Sequence, residues 1–145
     1  MQNKNLGILL YSKPIKDNDL FVKFLLKNDQ LISGIVYGGN SSKKINIYQL
    51  GYYLNLNLNK KNLNSPYIID AEISSPLIGS IIEDKYKLYC LLSIVSLINL
   101  SIIEGQNIKG IFKCVDEFIY NLINKKKWIE LYCKWLFNLL KVIGY

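Results

Sequence analysis

Residues 54–59 read Leu-Asn-Leu-Asn-Leu-Asn, and this alternation decides the fold class of the first half of the chain. Successive side chains of a β-strand point to opposite faces, so only a strand places all the leucines on one face and all the asparagines on the other. The segment therefore predicts a strand with one face on a hydrophobic core and the other towards water.

Four further segments of the first half have the composition of short strands, namely residues 6–11, 20–26, 31–37 and 67–73. Polar turns separate them, and the stretch that reads GGNSSKK at residues 38–44 is a flexible basic loop. Five short strands joined by short turns are buried most economically in a small closed or nearly closed barrel, because closure leaves no free edges.

The second half has helical periodicity. Residues 88–103 carry no charge and predict a buried helix, since sixteen residues are too few for a membrane span of roughly 20. Apolar stripes over 111–122 and 128–143 predict two more helices, and Gly144 is a stop signal. We therefore predict an α+β protein, with a barrel domain at 1–75 and, after a break at Pro76, a helical bundle at 76–145. Three or four helices would pack around residues 88–103.

The composition argues against most enzyme classes. The chain has 145 residues and no His, so it contains no Ser-His-Asp triad, Cys-His pair or HExxH metal site. It also lacks the spacing of a phosphate-binding P-loop, and Asp116 and Glu117 are expected on a solvated helix face. The three cysteines form no CxxC pair and are expected to be buried thiols in a reducing cytosol. We expect no catalysis, no metal and no cofactor.

The net charge of +7 comes from eighteen lysines without a single arginine. Such a balance favours a polyanionic partner, either nucleic acid or an anionic membrane surface. The alternative is the lysine-rich proteome of an AT-rich genome. A membrane partner would need an exposed basic amphipathic helix, whereas these helices have the pattern of buried ones, so no membrane partner is expected.

Four stretches, in order, resemble the bacterial recombination mediator RecO. They are the opening strand and polar turn at 7–19, the third strand and Gly-rich basic loop at 31–44, the Tyr-Gln-Leu-Gly segment at 48–51, and the final helix with its Gly-Tyr end at 132–145. The resemblance covers essentially the whole chain. It implies an N-terminal OB-fold barrel followed by helices. It also implies that the family's C-terminal part, which often carries a four-cysteine zinc site, would begin where this chain ends.

The resemblance further implies a non-enzymatic role in DNA repair and homologous recombination, in the RecFOR pathway. Such a protein binds single- and double-stranded DNA, anneals complementary strands and helps to load RecA on DNA coated with the single-stranded DNA-binding protein SSB. The implied protein partners are RecR and the C-terminal tail of SSB, and the implied location is the cytoplasm, on the nucleoid. The alternative is an adaptor that contacts SSB or RecR without binding DNA.

An OB-fold binds single strands with a basic groove and stacking aromatic side chains. Lys43 and Lys44 are the first candidates for phosphate contact, because they match the family's basic loop and a Gly-rich loop approaches phosphate closely; the alternative is a solvated turn. Lys13 and Lys16 follow, with a plain polar turn as the alternative. Lys23 lies in the middle of a strand and should point outward, either into the groove or on an exposed strand face.

Tyr37 adjoins the basic loop and is expected either to stack on a base or to lie in the barrel core. Tyr52 and Tyr53 should point to opposite faces of one strand. Lysines 60–61 are best interpreted as a solvated turn. Lysines 125–127 are best interpreted as a solvated inter-helix loop, with a second phosphate contact or a clamp for the acidic SSB tail as the alternative.

Overall fold

The computed structural model describes residues 4–75, 77–81 and 83–144, so the predicted break at Pro76 and the terminal Tyr145 lie outside the described residues. Within these residues, five strands come first and three helices follow, which confirms the predicted fold class. The strands are β1 Lys4–Pro14, β2 Leu20–Leu26, β3 Leu31–Val36, β4 Tyr53–Asn59 and β5 Tyr67–Ser75. The helices are α1 Lys85–Ser101, α2 Ile111–Asn124 and α3 Trp128–Val142, and short 3-10 turns lie at Lys16–Asn18 and Leu77–Ser80.

The strands form a closed barrel in the order β1-β2-β3-β5-β4, which fits an OB-fold. All neighbours are antiparallel except β3 and β5, which pair in parallel at Gly34 with Tyr67 and Ile35 with Ile68. A Cβ atom on Gly34 would lie 2.5 Å from the carbonyl oxygen of Tyr67. Closure of the barrel at this seam therefore requires glycine.

Alternate side chains of each strand point inward and fill the barrel interior. Leu54 and Leu56 are fully buried there, as the alternation predicts. The connection between β3 and β4 closes one end of the barrel with Tyr48, whose hydroxyl accepts a hydrogen bond from the Ala71 backbone N–H at 3.0 Å. Burial, together with the nearby carboxylate of Asp70, raises the pKa of Tyr48 to about 12.

A second core lies between the outer surface of the barrel and the helices. Ile8, Leu25, Leu31 and Tyr53 contribute to it from the strands, and the buried faces of all three helices complete it. Helix α1 packs against β1, and α2 packs against α3. Residues of α1 share this core with α2 and α3, in line with the predicted packing of helices around residues 88–103, and α1 also packs against β1 of the barrel. The division into domains at residue 75 stays a prediction.

Among the described residues, hydrogen bonds at three places also join the barrel to the helical part. The carboxylate of Asp29, in the β2–β3 turn, accepts hydrogen bonds from backbone N–H groups at the start of α2. The hydroxyl of Tyr53 donates a hydrogen bond to the Asp116 carboxylate at 2.6 Å. Asp116 therefore links α2 to the barrel, in addition to lying on the solvated face of the helix. Burial and this hydrogen bond raise the pKa of Tyr53. The hydroxyl of Ser33 donates to Glu104 at 2.7 Å.

Cys90 and Cys114 are buried, but Cys133 is exposed, so the expectation of three buried thiols was wrong for Cys133. The reason is its position on the side of α3 that faces away from the core. Trp135 is buried on the opposite side, where its indole N–H donates to the Cys114 carbonyl oxygen at 3.0 Å. Among the described residues, no helix is both long enough and apolar enough to cross a membrane.

Candidate nucleic-acid interface

A bulge in β1 determines which side chains lie on the outer surface of the barrel. Leu9 pairs with Phe24 and Tyr11 pairs with Lys23, so Leu10 is an extra residue in β1. Leu9 points into the barrel core, whereas Leu10 joins the core under the helices. An extra residue reverses the alternation beyond it, so Tyr11 follows Leu10 onto the outer surface.

The outer surface of β1 and β2 combines aromatic rings with lysines. The Tyr11 and Phe21 rings meet edge to face, with centroids 6.3 Å apart. The Lys23 ammonium lies 5.6 Å from the centroid of the Tyr11 ring, and Lys13 is the register partner of Phe21. We call this set, Tyr11, Lys13, Phe21 and Lys23, the β1–β2 face. Its composition suits a single strand, since rings accept bases and lysines accept phosphates.

Two hydrogen bonds place further candidates at one end of this face. The Asp19 carboxylate accepts from the Gly38 N–H at 2.7 Å, and the Asn18 carbonyl oxygen accepts from the Asn40 N–H at 2.8 Å. They hold the β1–β2 turn, which carries Lys16, against the segment that follows β3, which begins with Tyr37. The Tyr37 side chain is 51% exposed, which excludes its alternative place in the barrel core.

The structure gives the two residues of the predicted Lys43–Lys44 pair different surroundings. The Lys44 ammonium donates to the Tyr37 carbonyl oxygen at 3.3 Å and lies 3.8 Å from the Asp70 carboxylate. Lys43 is exposed on the same segment. The neighbouring Asp70 carboxylate offsets the positive charge of Lys44 and repels phosphate there. Lys43 is therefore the stronger candidate of the two for a phosphate contact.

Glu104 places a negative charge beside β3. It belongs to the α1–α2 connection, and its carboxylate accepts from the Ser33 hydroxyl at 2.7 Å and from the Ser33 N–H at 3.3 Å. Ser33 is the β3 partner of Lys23. The Glu104 carboxylate therefore lies one strand away from the β1–β2 face, and it repels phosphate from the surface of β3.

The β4–β5 loop is the other element that OB-folds use for binding. Lys60 and Lys61 lie in this loop, and the Lys60 ammonium is 4.3 Å from the centroid of the Tyr67 ring. Leu63, at the loop tip, is 93% exposed. Lysines 125–127 lie instead in the α2–α3 connection and are exposed there.

Tyr11 and Phe21 are among the aromatic residues that the sequence offers for stacking in the first half, but the sequence did not single them out as site residues. The spacing of Phe21 and Lys23 by two residues within a strand was a usable signal, because it places both on one face. Tyr11 could not have been placed in this way, since its direction depends on the bulge. The six candidates that were named, Lys13, Lys16, Lys23, Tyr37, Lys43 and Lys44, stay predictions as DNA contacts.

Comparison with known proteins shows similarity along the entire chain. DNA repair protein RecO of Rickettsia canadensis is 29% identical over all 145 residues, and that of Rickettsia akari is 28% identical over the same length. The chain spans 59% and 60% of these two relatives. An uncharacterised protein of Rickettsia prowazekii is 32% identical over 99 residues, which are 68% of this chain and 84% of that protein. No family model matches the chain.

The similarity to several RecO proteins is modest in identity but runs from one end of the chain to the other. The closed five-stranded barrel followed by three helices fits the fold that the resemblance implies. This chain is therefore a RecO-like protein.

Proposed function

We propose that this chain acts in DNA repair by binding single-stranded DNA on the β1–β2 face. The observation that carries the proposal is the edge-to-face pair of Tyr11 and Phe21 between Lys13 and Lys23, on the outer surface of an OB-type barrel. The relatives are named DNA repair proteins, and the net charge of +7 has the sign that DNA requires.

The geometry supports binding through stacking and charge, without base readout. Bases stack on the exposed parts of the Tyr11 and Phe21 rings, and each such stack contributes about 1–3 kcal/mol to binding. The Lys23 ammonium, close to the Tyr11 ring, and Lys13, beside Phe21, take the flanking phosphates. Every base has a flat face, so binding of this kind tolerates any sequence.

The strand extends from this face towards Tyr37. Lys16 and Lys43 add phosphate contacts at that end, and the exposed Tyr37 ring adds a third stacking surface. Asp70 beside Lys44 and Glu104 beside Ser33 repel phosphate and keep the strand away from their surfaces. The path therefore follows β1, β2 and the end of β3.

This mode of binding suits a mediator better than an enzyme. A strand held by its backbone and by the faces of its bases keeps its pairing edges available to a complementary strand, which is what annealing requires. We extend the proposal to the RecFOR pathway: the chain binds double-stranded DNA as well, anneals strands, engages RecR and the SSB tail, and so helps RecA onto SSB-coated DNA. It carries out no catalysis itself.

The test is fluorescence anisotropy of a labelled single-stranded oligonucleotide over a series of salt concentrations. The logarithm of the affinity should fall linearly with the logarithm of salt, with a slope of about 0.7 per phosphate contact. The Lys13→Gln/Lys23→Gln variant should lower that slope by about 1.4, because it removes two contacts. Lys125→Gln/Lys127→Gln is the matched control, since it removes the same charge from the α2–α3 connection and should leave the slope unchanged.

Lys43 and Lys44 are separated by two single variants. Lys43→Gln should weaken binding more than Lys44→Gln, because Lys44 is already engaged with Asp70 and Tyr37. Absence of binding by the unmodified chain at low salt would contradict the proposal and favour the adaptor that works through protein contacts. An equal loss in the β1–β2 face variant and in its control would show that only net charge matters.

A further inference from the structure

The turn at residues 103–106, in the connection between α1 and α2, brings Glu104 to the outer surface of β3. The Gln106 N–H donates to the Ile103 carbonyl oxygen at 3.0 Å, which closes the turn. Gly105 has a φ of 88°, as the third position of a type II turn requires. Glu104 therefore lies at the tip of a tight turn, and its side chain reaches from the helical part of the chain to the barrel.

Ser33 binds the Glu104 carboxylate with two donors. Its hydroxyl donates to one carboxylate oxygen at 2.7 Å, and its backbone N–H donates to the other at 3.3 Å. Among the described residues, β3 pairs with β5 only at Gly34 and Ile35, so Ser33 lies just before the paired part of this edge. Serine hydroxyls and backbone N–H groups are common donors to phosphate oxygens in complexes with DNA. The two donors that bind the carboxylate therefore also suit two oxygens of a phosphate.

The Ser33 donors adjoin the β1–β2 face. Ser33 is the register partner of Lys23, whose ammonium lies 5.6 Å from the centroid of the Tyr11 ring. Opposite residues of an antiparallel pair have Cβ atoms about 4.5–5.5 Å apart, so a phosphate on Ser33 lies within reach of the long Lys23 side chain. A strand that crosses from Tyr11 towards β3 would meet two neutral donors and one lysine at this point.

The contact between Glu104 and Ser33 is not what holds the chain together. Glu104 and its two hydrogen bonds are exposed, and hydrogen bonds that compete with water contribute little net stability. The barrel and the helices are joined independently by Asp29 and by the hydrogen bond from Tyr53 to Asp116. The carboxylate can therefore leave Ser33, or be removed by substitution, while the fold is retained.

We propose that Ser33 is a phosphate-binding site for single-stranded DNA that Glu104 occupies in the free chain. While the carboxylate is bound to Ser33, the strand does not extend from the β1–β2 face over the middle of β3. When the carboxylate leaves, Ser33 and Lys23 together hold one further phosphate. The proposal rests on the proposed DNA binding by the β1–β2 face, and it makes a residue outside the barrel a determinant of how much DNA the barrel binds.

The first test measures the affinity for a labelled single-stranded oligonucleotide by fluorescence anisotropy. Glu104→Ala should bind on the order of tenfold more tightly than the unmodified chain, because it removes a negative charge and frees both donors of Ser33. Glu104→Gln should gain less, because its amide oxygen can remain on Ser33. Glu130→Ala is the matched control, since it removes an exposed carboxylate from α3, and it should change the affinity least.

A double-variant cycle tests whether Ser33 is the site. Ser33→Ala should weaken binding in the Glu104→Ala background, where the hydroxyl contacts DNA, and should not weaken it in the unmodified chain, where the hydroxyl contacts Glu104. Equal gains in Glu104→Ala and Glu104→Gln, or gains no larger than that of Glu130→Ala, would overturn the proposal. An effect of Ser33→Ala that is the same in both backgrounds would overturn it as well.

A titration with inorganic phosphate separates this proposal from the proposed DNA binding. The Ser33 amide signal in the nuclear magnetic resonance spectrum should shift when phosphate is added to the Glu104→Ala variant, but not when it is added to the unmodified chain. This shift without DNA binding by any variant would contradict the proposed function, while the anion site itself stands. DNA binding by the unmodified chain without this shift would overturn the Ser33 site alone.

Discussion

Substitution of Asp29 tests whether the barrel caps a helix that has no cap of its own. Helix α2 begins after Gly110, which offers no side chain and has a positive φ of 87°. The Asp29 carboxylate accepts from the Gly110 N–H at 2.8 Å and from the Phe112 N–H at 2.9 Å. Asp29 itself has a φ of 70°, a conformation that Asn and Gly tolerate better than other residues.

Three variants at Asp29 separate the contributions of its charge, its hydrogen bonds and its backbone conformation to the free energy of unfolding. Asp29→Asn keeps the backbone conformation and one acceptor oxygen but loses the negative charge at the helix start, for a cost of about 1 kcal/mol. Asp29→Gly removes both hydrogen bonds without strain, for about 2 kcal/mol. Asp29→Ala removes both and adds a left-handed residue with a Cβ atom, for about 3 kcal/mol.

The assay is equilibrium unfolding in urea, followed by far-ultraviolet circular dichroism. We expect the free energy of unfolding to fall in the order Asn, Gly, Ala, with similar dependence on urea concentration. Glu117, exposed on the outer side of α2, supplies the control: Glu117→Ala removes a carboxylate without removing a cap. Equal stability of the Asn and Ala variants, or losses at Asp29 no larger than at Glu117, would refute the assignment of Asp29 as the cap of α2.

Two further predictions concern the barrel seam and the buried titratable groups. Gly34→Ala should cost about 3 kcal/mol in thermal unfolding, because its Cβ atom would lie 2.5 Å from a backbone oxygen, while Gly79→Ala, where a Cβ meets nothing within 4 Å, should be nearly neutral. Burial raises the pKa of Cys90 from 9.0 to about 11, and the pKa of Tyr48 rises from 10.0 to about 12. Both groups therefore stabilise the fold fully below pH 9, and this contribution is lost as the pH rises through 11 and 12. Urea unfolding measured from pH 9.0 to about 12 should show a falling free energy of unfolding. The Cys90→Ala variant should show a smaller fall between pH 9.0 and about 11.

The local elements were predictable because they depend on residues near each other in sequence. The alternation at 54–59 and the turn residues between the apolar segments indicated all five strands, and the helical stripes indicated α2 and α3 to within a few residues. The exposure of Lys13, Lys16 and Lys43 also followed from their turn-like surroundings. Patterns that extend over a few neighbouring residues determine the secondary structure and indicate which face of a helix or strand is apolar.

The arrangement of the candidate interface was decided only by tertiary contacts. Tyr11 lies on the outer surface because Leu10 forms a bulge, with no partner of its own in the pairing of β1 with β2. No feature of the β1 sequence predicts this bulge. Lys44, in the connection between β3 and β4, is held by Asp70 of β5, so two adjacent lysines with the same sequence surroundings differ in the fold.

The same distinction explains which side of α3 is buried and how α2 is capped. The residue pattern identified α3 as a helix rich in apolar residues, but only packing decided that Trp135 faces the core and Cys133 faces out. It determined that α2 follows a glycine, but the cap comes from Asp29, 81 residues before Gly110. The physical reason is common to both: periodicity is a local property of the chain, whereas packing partners and hydrogen-bond partners are brought together only when the barrel closes and the helices fold onto it.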